Sequence, residues 1–312
     1  AGMAGLFGAA GRAAPVATTF DFGFALGPRI NAAGRLSDMT LGIECLLSDD
    51  PQRAAELARQ LDAINRERRE IEGDMREQAL QLVDAMFEEG EDPPPAITVF
   101  DPDFHEGVVG IVASRIKDRM HRPTFVFAAS QAPGREHELK GSGRSIPGFH
   151  LRDALDLVAK RHPGVLLRFG GHAMAAGATL EAHRFQAFAD AFARVAGEWL
   201  DAATLTRTVR TDGPLAGEWF NAETVALLDA QVWGQGFEAP TFCDEVQVLQ
   251  QRLVADKHLK LRLRLPGGTP RDAIWFGRVA PLPERTRLAY RLSLDEWNGQ
   301  ARVQMVVEAA AE

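Results

Sequence analysis

Four short segments of this chain combine residue types that bind phosphate. Gly141-Ser142-Gly143-Arg144-Ser145 sets hydroxyl donors beside a guanidinium whose planar fork matches phosphate oxygens, with glycines that let backbone amides approach an anion. The same composition also suits a plain glycine-rich turn. In Phe169-Gly170-Gly171-His172-Ala173-Met174-Ala175-Ala176-Gly177, Gly170 and Gly171 free the backbone before His172. That imidazole can donate to a phosphate or exchange a proton. Its alternative is a buried, hydrogen-bonded histidine, and the presence of both motifs in one α/β segment favours function. Arg29, Asn31 and Arg35, spread through Gly27-Pro28-Arg29-Ile30-Asn31-Ala32-Ala33-Gly34-Arg35, suit a phosphate clamp or pins that hold the local fold. Finally, Leu259 to Leu265 alternates strictly, so Lys260, Arg262 and Arg264 share one strand face, with Lys257 and His258 close by. Such a row tracks a phosphate backbone or is simply a solvated outer face. Trp233 and Trp275 offer rings for stacking or for a core. His105, set among Asp101, Asp103 and Glu106, has the look of a metal cluster, but neighbouring positions rarely converge on one ion, and these acids read as turn and capping residues.

The elements that must position these residues follow from pattern. Residues 1–50 are rich in Gly and Ala and read as the tail of a domain that begins upstream, with a short helix over 38–47. The absence of Met at position 1 points the same way. Asp50 and Pro51 are an N-cap and a first helical residue. Leu57, Leu61, Ile64, Arg68, Ile71, Met75, Gln78 and Leu82 then repeat at spacings of four and three, which predicts a helix from about 51 to 90, roughly 55 Å long. Its thin apolar stripe reads as a connector between domains. Pro93-Pro94-Pro95 forbids continuation. Residues 91–200 alternate strands at 97–100 and 124–128 with helices at 108–120, 151–160 and 183–200, the signature of an α/β domain. Residues 201–312 alternate with period two and carry turn signals, Asn298-Gly299 above all, which predicts a small β barrel or sandwich.

Bulk properties bound the answer. The 312 residues suffice for two or three domains, and no apolar run approaches the roughly 20 residues that span a bilayer. No basic segment followed by an apolar core marks a signal peptide. Two distant cysteines, Cys45 and Cys243, fit a reducing cytoplasm and support neither a disulfide framework nor a cysteine-based zinc site. The net charge of −8 argues against a uniformly basic nucleic-acid binder, although a groove needs only a local strip of cations.

The segments at 27–36, 104–115, 141–145 and 169–177, with Gly-Gln-Gly-Phe-Glu-Ala-Pro-Thr-Phe at 234–242 and Leu-Gln-Gln-Arg-Leu-Val at 249–254, resemble in order the RecJ family of bacterial 5′-to-3′ single-stranded-DNA exonucleases in the DHH phosphoesterase superfamily. The resemblance implies an α/β plus β architecture: the end of a DHH catalytic domain at 1–50, a connector helix at 51–90, a DHH-associated α/β domain at 91–200 and an OB-fold at 201–312. It implies a monomer acting in DNA repair and recombination, with single-stranded DNA and a single-strand-binding protein as partners. Mn²⁺ or Mg²⁺ would be bound by the DHH domain. Carried over, Ser142, Arg144 and Ser145 hold phosphate, with Gly170 and Gly171 beside it. His172 approaches the scissile phosphate as the catalytic residue, and Arg29, Asn31 and Arg35 line the DNA cleft.

One departure is large. The family's Asp-His-His motif is absent, and this sequence contains no His-His pair. No metal ligands are therefore expected here, and the chain alone is expected to be inactive. Two other readings compete: a non-catalytic single-stranded-DNA-binding or adaptor module, and a DHH phosphoesterase acting on short oligonucleotides or cyclic dinucleotides. The β-rich tail argues against the latter, because small substrates need no such domain.

Overall fold

Asp50 begins the longest element of the chain. Its carboxylate accepts from the Gln52 amide at 2.9 Å, and Pro51 occupies the first turn, where its missing N–H costs nothing. The computed structural model describes residues 1–87, 91–234, 236–297 and 300–311, which divide into two units, Ala1–Arg207 and Thr208–Glu312. No helix among the described residues is long and apolar enough to cross a membrane.

In the first unit, helices α1 (Gly2–Ala9), α2 (Thr19–Asp21), α3 (Gly27–Leu36) and α4 (Thr40–Leu47) precede α5 (Pro51–Asp84). The Arg29–Arg35 segment is thus helical throughout. Leu57, Ala58 and Leu61 of α5 join Leu6, Leu26, Ala33 and Cys45 in one core. Met75, Ala79 and Val83 join a second core, with β1 (Ile97–Phe100), α6 (Val109–Met120) and β2 (Thr124–Ala129). Asn65, Arg68 and Glu72 fill the gap between the two cores. The helix ends at Asp84, earlier than the sequence pattern suggests, and the expected end near residue 90 lies outside the described residues. The buried line also departs from the predicted stripe: Asn65, Ala79 and Val83 are buried where Ile64, Gln78 and Leu82 were expected. A spacing of about 3.5 residues lags the 3.6-residue turn, so a line of that length slips by about one position.

The α/β part continues through β3 (Glu138–Arg144), α7 (Leu151–Arg161), β4 (Arg168–Gly171), β5 (Ala175–Glu181), α8 (Phe185–Trp199) and the short α9 (Ala202–Leu205). The sheet order is β1-β2-β3-β5-β4, parallel only between β1 and β2. One face of the sheet packs Phe125, Phe127, Leu139 and Leu180 against Phe188 and Phe192 of α8 and Leu155 of α7. On the other face α6 covers Val99, Val126 and Ala128.

The Gly-Ser-Gly-Arg segment lies inside β3, which explains its glycines differently from the sequence reading. A Cβ on Gly141 would stand 2.3 Å from the Phe127 ring, and one on Gly143 would stand 2.5 Å from Phe125. Both glycines make room for core aromatics, while Ser142 and Arg144 alternate onto the opposite face.

In the second unit, α10 (Ala222–Asp229) precedes β6 (Phe242–Val254), β7 (His258–Arg264), β8 (Pro270–Phe276), β9 (Arg285–Trp297) and β10 (Gln300–Ala310). The strands close into a barrel in the order β10-β8-β7-β6-β9, with β8 and β10 parallel. Leu259, Leu261 and Leu263 point into its core, as alternation requires. The Asn298-Gly299 turn lies outside the described residues, although the strands flanking it pair antiparallel.

Gly141→Ala should destabilise the first unit by about 1–3 kcal/mol through overpacking against Phe127. A lower thermal midpoint checks this, and an unchanged midpoint would show that the ring has room to move.

Candidate nucleic-acid interface

Two glycines in the loop and first turn of α6 build the site around Arg144. A Cβ on Gly107 would lie 2.1 Å from the Arg35 carbonyl, so glycine there lets the loop lie directly against the end of α3. The Arg35 guanidinium donates to the Gly107 carbonyl at 3.1 Å. A Cβ on Gly110 would lie 2.9 Å from both the Ser142 hydroxyl and the Arg144 guanidinium. The first turn of α6 therefore rests on Ser142 and Arg144, and no side chain caps the start of that helix.

Arg144 donates to the Ser142 hydroxyl at 2.9 Å and to the Gly143 carbonyl at 2.8 Å, and it has no carboxylate partner among the described residues. Burial, and then the like charge of Arg35, push its pKa below the usual guanidinium value. The group stays protonated at neutral pH, so the shift measures how poorly its charge is compensated. Two guanidinium groups and a helix N-terminus thus meet with no carboxylate paired to either guanidinium among the described residues, which is the electrostatic character of a phosphate site.

The register brings the second motif alongside. Ser142 pairs with Gly177 and Gly177 with Gly170, while Arg144 pairs with Ala175. The His172 amide donates to the Ala175 carbonyl at 2.8 Å, so His172 lies across Ala175 from Arg144. His172 is exposed and its ring makes no hydrogen bond among the described residues, which is not the setting of a buried structural histidine. Gly170 and Gly171 are exposed on β4, and Gly171 has φ 144°, with a Cβ position 2.4 Å from the Ala175 carbonyl.

Two of the expected phosphate ligands are structural instead. Arg29 donates to the Ala25 carbonyl at 2.6 Å and pairs with Asp62 at 2.8 Å, pinning α3 to α5. Ser145 is 1% exposed and its hydroxyl donates to the Phe149 carbonyl at 2.6 Å. Asn31 and Arg35, by contrast, are exposed and line a cleft of about 520 Å³. That cleft also takes in Arg69 and Arg76 of α5 and Arg115 of α6, none of which the sequence reading singles out as a site residue.

The Asp101–Glu106 cluster behaves as turn chemistry. Asp101 accepts from the Asp103 amide at 2.9 Å, His105 Nδ1 accepts from the Gly107 amide at 3.0 Å, and Glu106 pairs with Lys140 at 2.9 Å. Among the described residues no group of three or more His, Cys, Asp or Glu side chains could hold a metal ion.

In the barrel, Lys260, Arg262 and Arg264 do share the outer face of β7, but as a row of free cations the prediction fails. Lys260 binds Asp295 at 3.2 Å and Gln304 at 3.1 Å, and Arg262 binds Asp272 at 2.9 Å. The face is also divided. Lys260 and Arg262 line a concavity of about 890 Å³ with Arg252 and Arg302, whereas Arg264 lines another with Arg285 and Arg287. Arg252, opposite Lys260 in the register, was not anticipated. Trp233 is partly buried, donates to the Leu228 carbonyl at 2.8 Å and stacks on the exposed Phe237 at 5.3 Å. Trp275 is partly buried with the Arg278 guanidinium 5.0 Å over its ring.

Comparison with known proteins fits this division. Residues 94–198 match the DHHA1 domain and residues 211–309 the RecJ OB domain. The chain is 46% identical to the single-stranded-DNA-specific exonuclease RecJ of Dickeya dadantii and 43% identical to that of Escherichia coli, in each case over 98% of this chain and 54% of the relative. It therefore spans about half the length of the curated relatives it matches. A crystal structure of RecJ from Thermus thermophilus in complex with Mg²⁺ superposes with a TM-score of 0.80 at 27% identity, over all of this chain and 46% of that one. A Mn²⁺ complex of the same protein aligns equally well.

Ser145→Ala should cost about 1 kcal/mol of stability and leave phosphate binding unchanged. Equilibrium denaturation together with titration of a 5′-phosphorylated oligonucleotide separates the two effects.

Proposed function

We propose, from the premise that this chain belongs to the RecJ family as the counterpart of its C-terminal portion, that it is the DNA-holding part of a 5′-to-3′ single-stranded-DNA exonuclease acting in repair and recombination. One observation carries the reading. Arg144 is partly buried beneath the first turn of α6, next to Arg35, with no carboxylate to neutralise it among the described residues. A phosphate at this position would gain charge-assisted hydrogen bonds from the guanidinium and a donor from Ser142, and it would relieve the repulsion between the two arginines. A 5′-terminal phosphate carries more charge than an internal diester, so this cradle favours a strand end.

His172, exposed across Ala175 from Arg144, stands where it can donate to the next phosphate along the strand. Asn31 and Arg35 extend the path along α3. The barrel contributes a weaker surface, in which Arg252 lies beside the paired Lys260 and Arg262. Residues 1 to about 50 act as the end of a DHH domain, and the two unpaired cysteines accord with a cytoplasmic setting.

Hydrolysis is assigned to the portion of the relatives that this chain does not span. The described residues do not fit a divalent-metal centre, because their acids and histidines are engaged in turns or stand apart. Mn²⁺ or Mg²⁺ belongs with that other portion.

The 312-residue chain should bind a 5′-phosphorylated single strand more tightly than its 5′-hydroxyl counterpart. Arg144→Ala should abolish that preference and weaken binding by about 10-fold or more, the scale of one lost charge-assisted contact. Equal affinity for the two ends in the unaltered chain would overturn the reading. The same chain incubated with Mn²⁺ should leave single-stranded DNA intact, and robust degradation on a gel would refute the division of labour.

A further inference from the structure

The segment that joins the two units is held at both ends. At the first, α9 (Ala202–Leu205) has four residues, too few for an isolated helix to persist in water. Neighbours hold it in place. Arg122 is only 7% exposed, and its guanidinium donates to the Leu205 carbonyl at 2.8 Å and to the His121 carbonyl at 3.0 Å. Its Nε donates to the Pro93 carbonyl at 3.4 Å. His121 ends α6 in the left-handed conformation, with φ 49°, and its Nε2 lies 3.2 Å from the Thr204 carbonyl. A Cβ on Gly148 would stand 2.8 Å from the Thr204 methyl group, so glycine there lets α9 lie close. Leu205 packs against the aromatic core.

Capping of α6 does not account for Arg122. A cation at a helix C-terminus gains from the last carbonyls, and the bonds to Met120 and His121 are of that kind. The shortest bond, however, goes to Leu205, which is 83 residues away in the chain. Burying a guanidinium is costly, and here neutral carbonyls from three separate segments share its charge.

The barrel unit holds the other end. The Asp212 amide donates to the Thr241 carbonyl at 2.8 Å, and the Thr241 amide donates to the Asp212 carboxylate at 2.9 Å. The Cys243 amide donates to the Gly213 carbonyl at 2.9 Å. Thr206 still belongs to the end of α9, through its hydroxyl bond to the Ala202 carbonyl at 2.8 Å. Only the five residues Arg207 to Thr211 then run between the two held ends, and all are exposed.

We propose that Arg122 and His121 are positioning residues for strand binding: they fix the point at which the chain leaves the first unit and so keep the tether to the barrel short. The proposal rests on the reading that both units hold one single strand. A strand bound by one unit meets the other at an effective concentration set by the tether, which falls with about the −3/2 power of tether length. Release of α9 would lengthen the tether from the five residues 207–211 to the eleven residues 201–211 and lower that concentration about 3-fold.

The test compares 5′-phosphorylated oligothymidylates of about 30 and about 4 nucleotides, the second no larger than the site of a single module. Both are titrated against the full 312-residue chain, Arg122→Met, and a variant with six Gly and Ser residues inserted after Arg207. Amide exchange over residues 201–206 should quicken in Arg122→Met. Both variants should bind the long strand about 3-fold more weakly and the short strand as before. Unaltered exchange in Arg122→Met would overturn the anchor. A loss shared equally by both lengths would show damage to the first unit and overturn the positioning role. The insertion leaves the anchor intact, so an unchanged long-to-short ratio there overturns the tether argument even if Arg122→Met fails to fold. If the unaltered chain binds both lengths equally, the reading that two units share one strand fails, and the proposal fails with it.

Discussion

The ion pair between Arg68 and Glu72, set in the middle of α5, lets one helix serve two cores. Asn65 and Glu72 are 1% and 8% exposed, and Arg68 donates to the Asn65 side-chain oxygen at 2.9 Å. An apolar residue in this stretch would merge the two hydrophobic clusters or leave a greasy gap between them. A paired, hydrogen-bonded polar stretch instead keeps the helix continuous while the cores remain separate. The arrangement has a cost: burial lowers the Arg68 pKa despite the opposing pull of Glu72, and the Asn65 amide nitrogen has no hydrogen-bond partner among the described residues. As a consequence, the region between the clusters is polar and open, and the cleft forms there.

The Arg144 cradle depends on close approach in a similar way. Gly107 and Gly110 remove Cβ atoms that would collide with the Arg35 backbone and with Arg144 itself. Gly141 and Gly143 remove Cβ atoms that would collide with phenylalanines on the far face. Of these four glycines Gly110 lies against the guanidinium itself, while the other three let the surrounding elements close up. The charge is then held by neutral partners, a hydroxyl and a carbonyl, which leave most of its field available to an incoming anion.

A net charge of −8 does not describe the surroundings of any one cation, because particular carboxylates are paired with particular partners. In the barrel, Asp295, Asp272 and Glu245 neutralise Lys260, Arg262 and Arg287. In the first unit, Asp62 and Glu106 hold Arg29 and Lys140, which tie elements together. Arg144, Arg35, Arg69 and Arg76 are without such partners among the described residues. Net charge sums over both populations and therefore says nothing about either.

Local pattern alone marked several elements, although it did not mark β3, β4 and β5. Period-two alternation in 259–265 set which side of β7 faces the core, and Asp50-Pro51 announced the start of α5, because these signals act between near neighbours in the chain. Ser142, Arg144 and His172 stood out as motifs, each with a plain alternative, and it is the strand register that sets the two segments side by side. Only the tertiary structure decided which cations are free. Arg29 meets Asp62 from another helix, Lys260 meets Asp295 from a strand 35 residues away, and Arg144 meets no acid among the described residues. Pairing of charge depends on distances across the fold, and spacing along the chain does not record those distances. The same holds for Arg69 and Arg76, which look like an ordinary solvated helix face until α3 and α6 are placed opposite them.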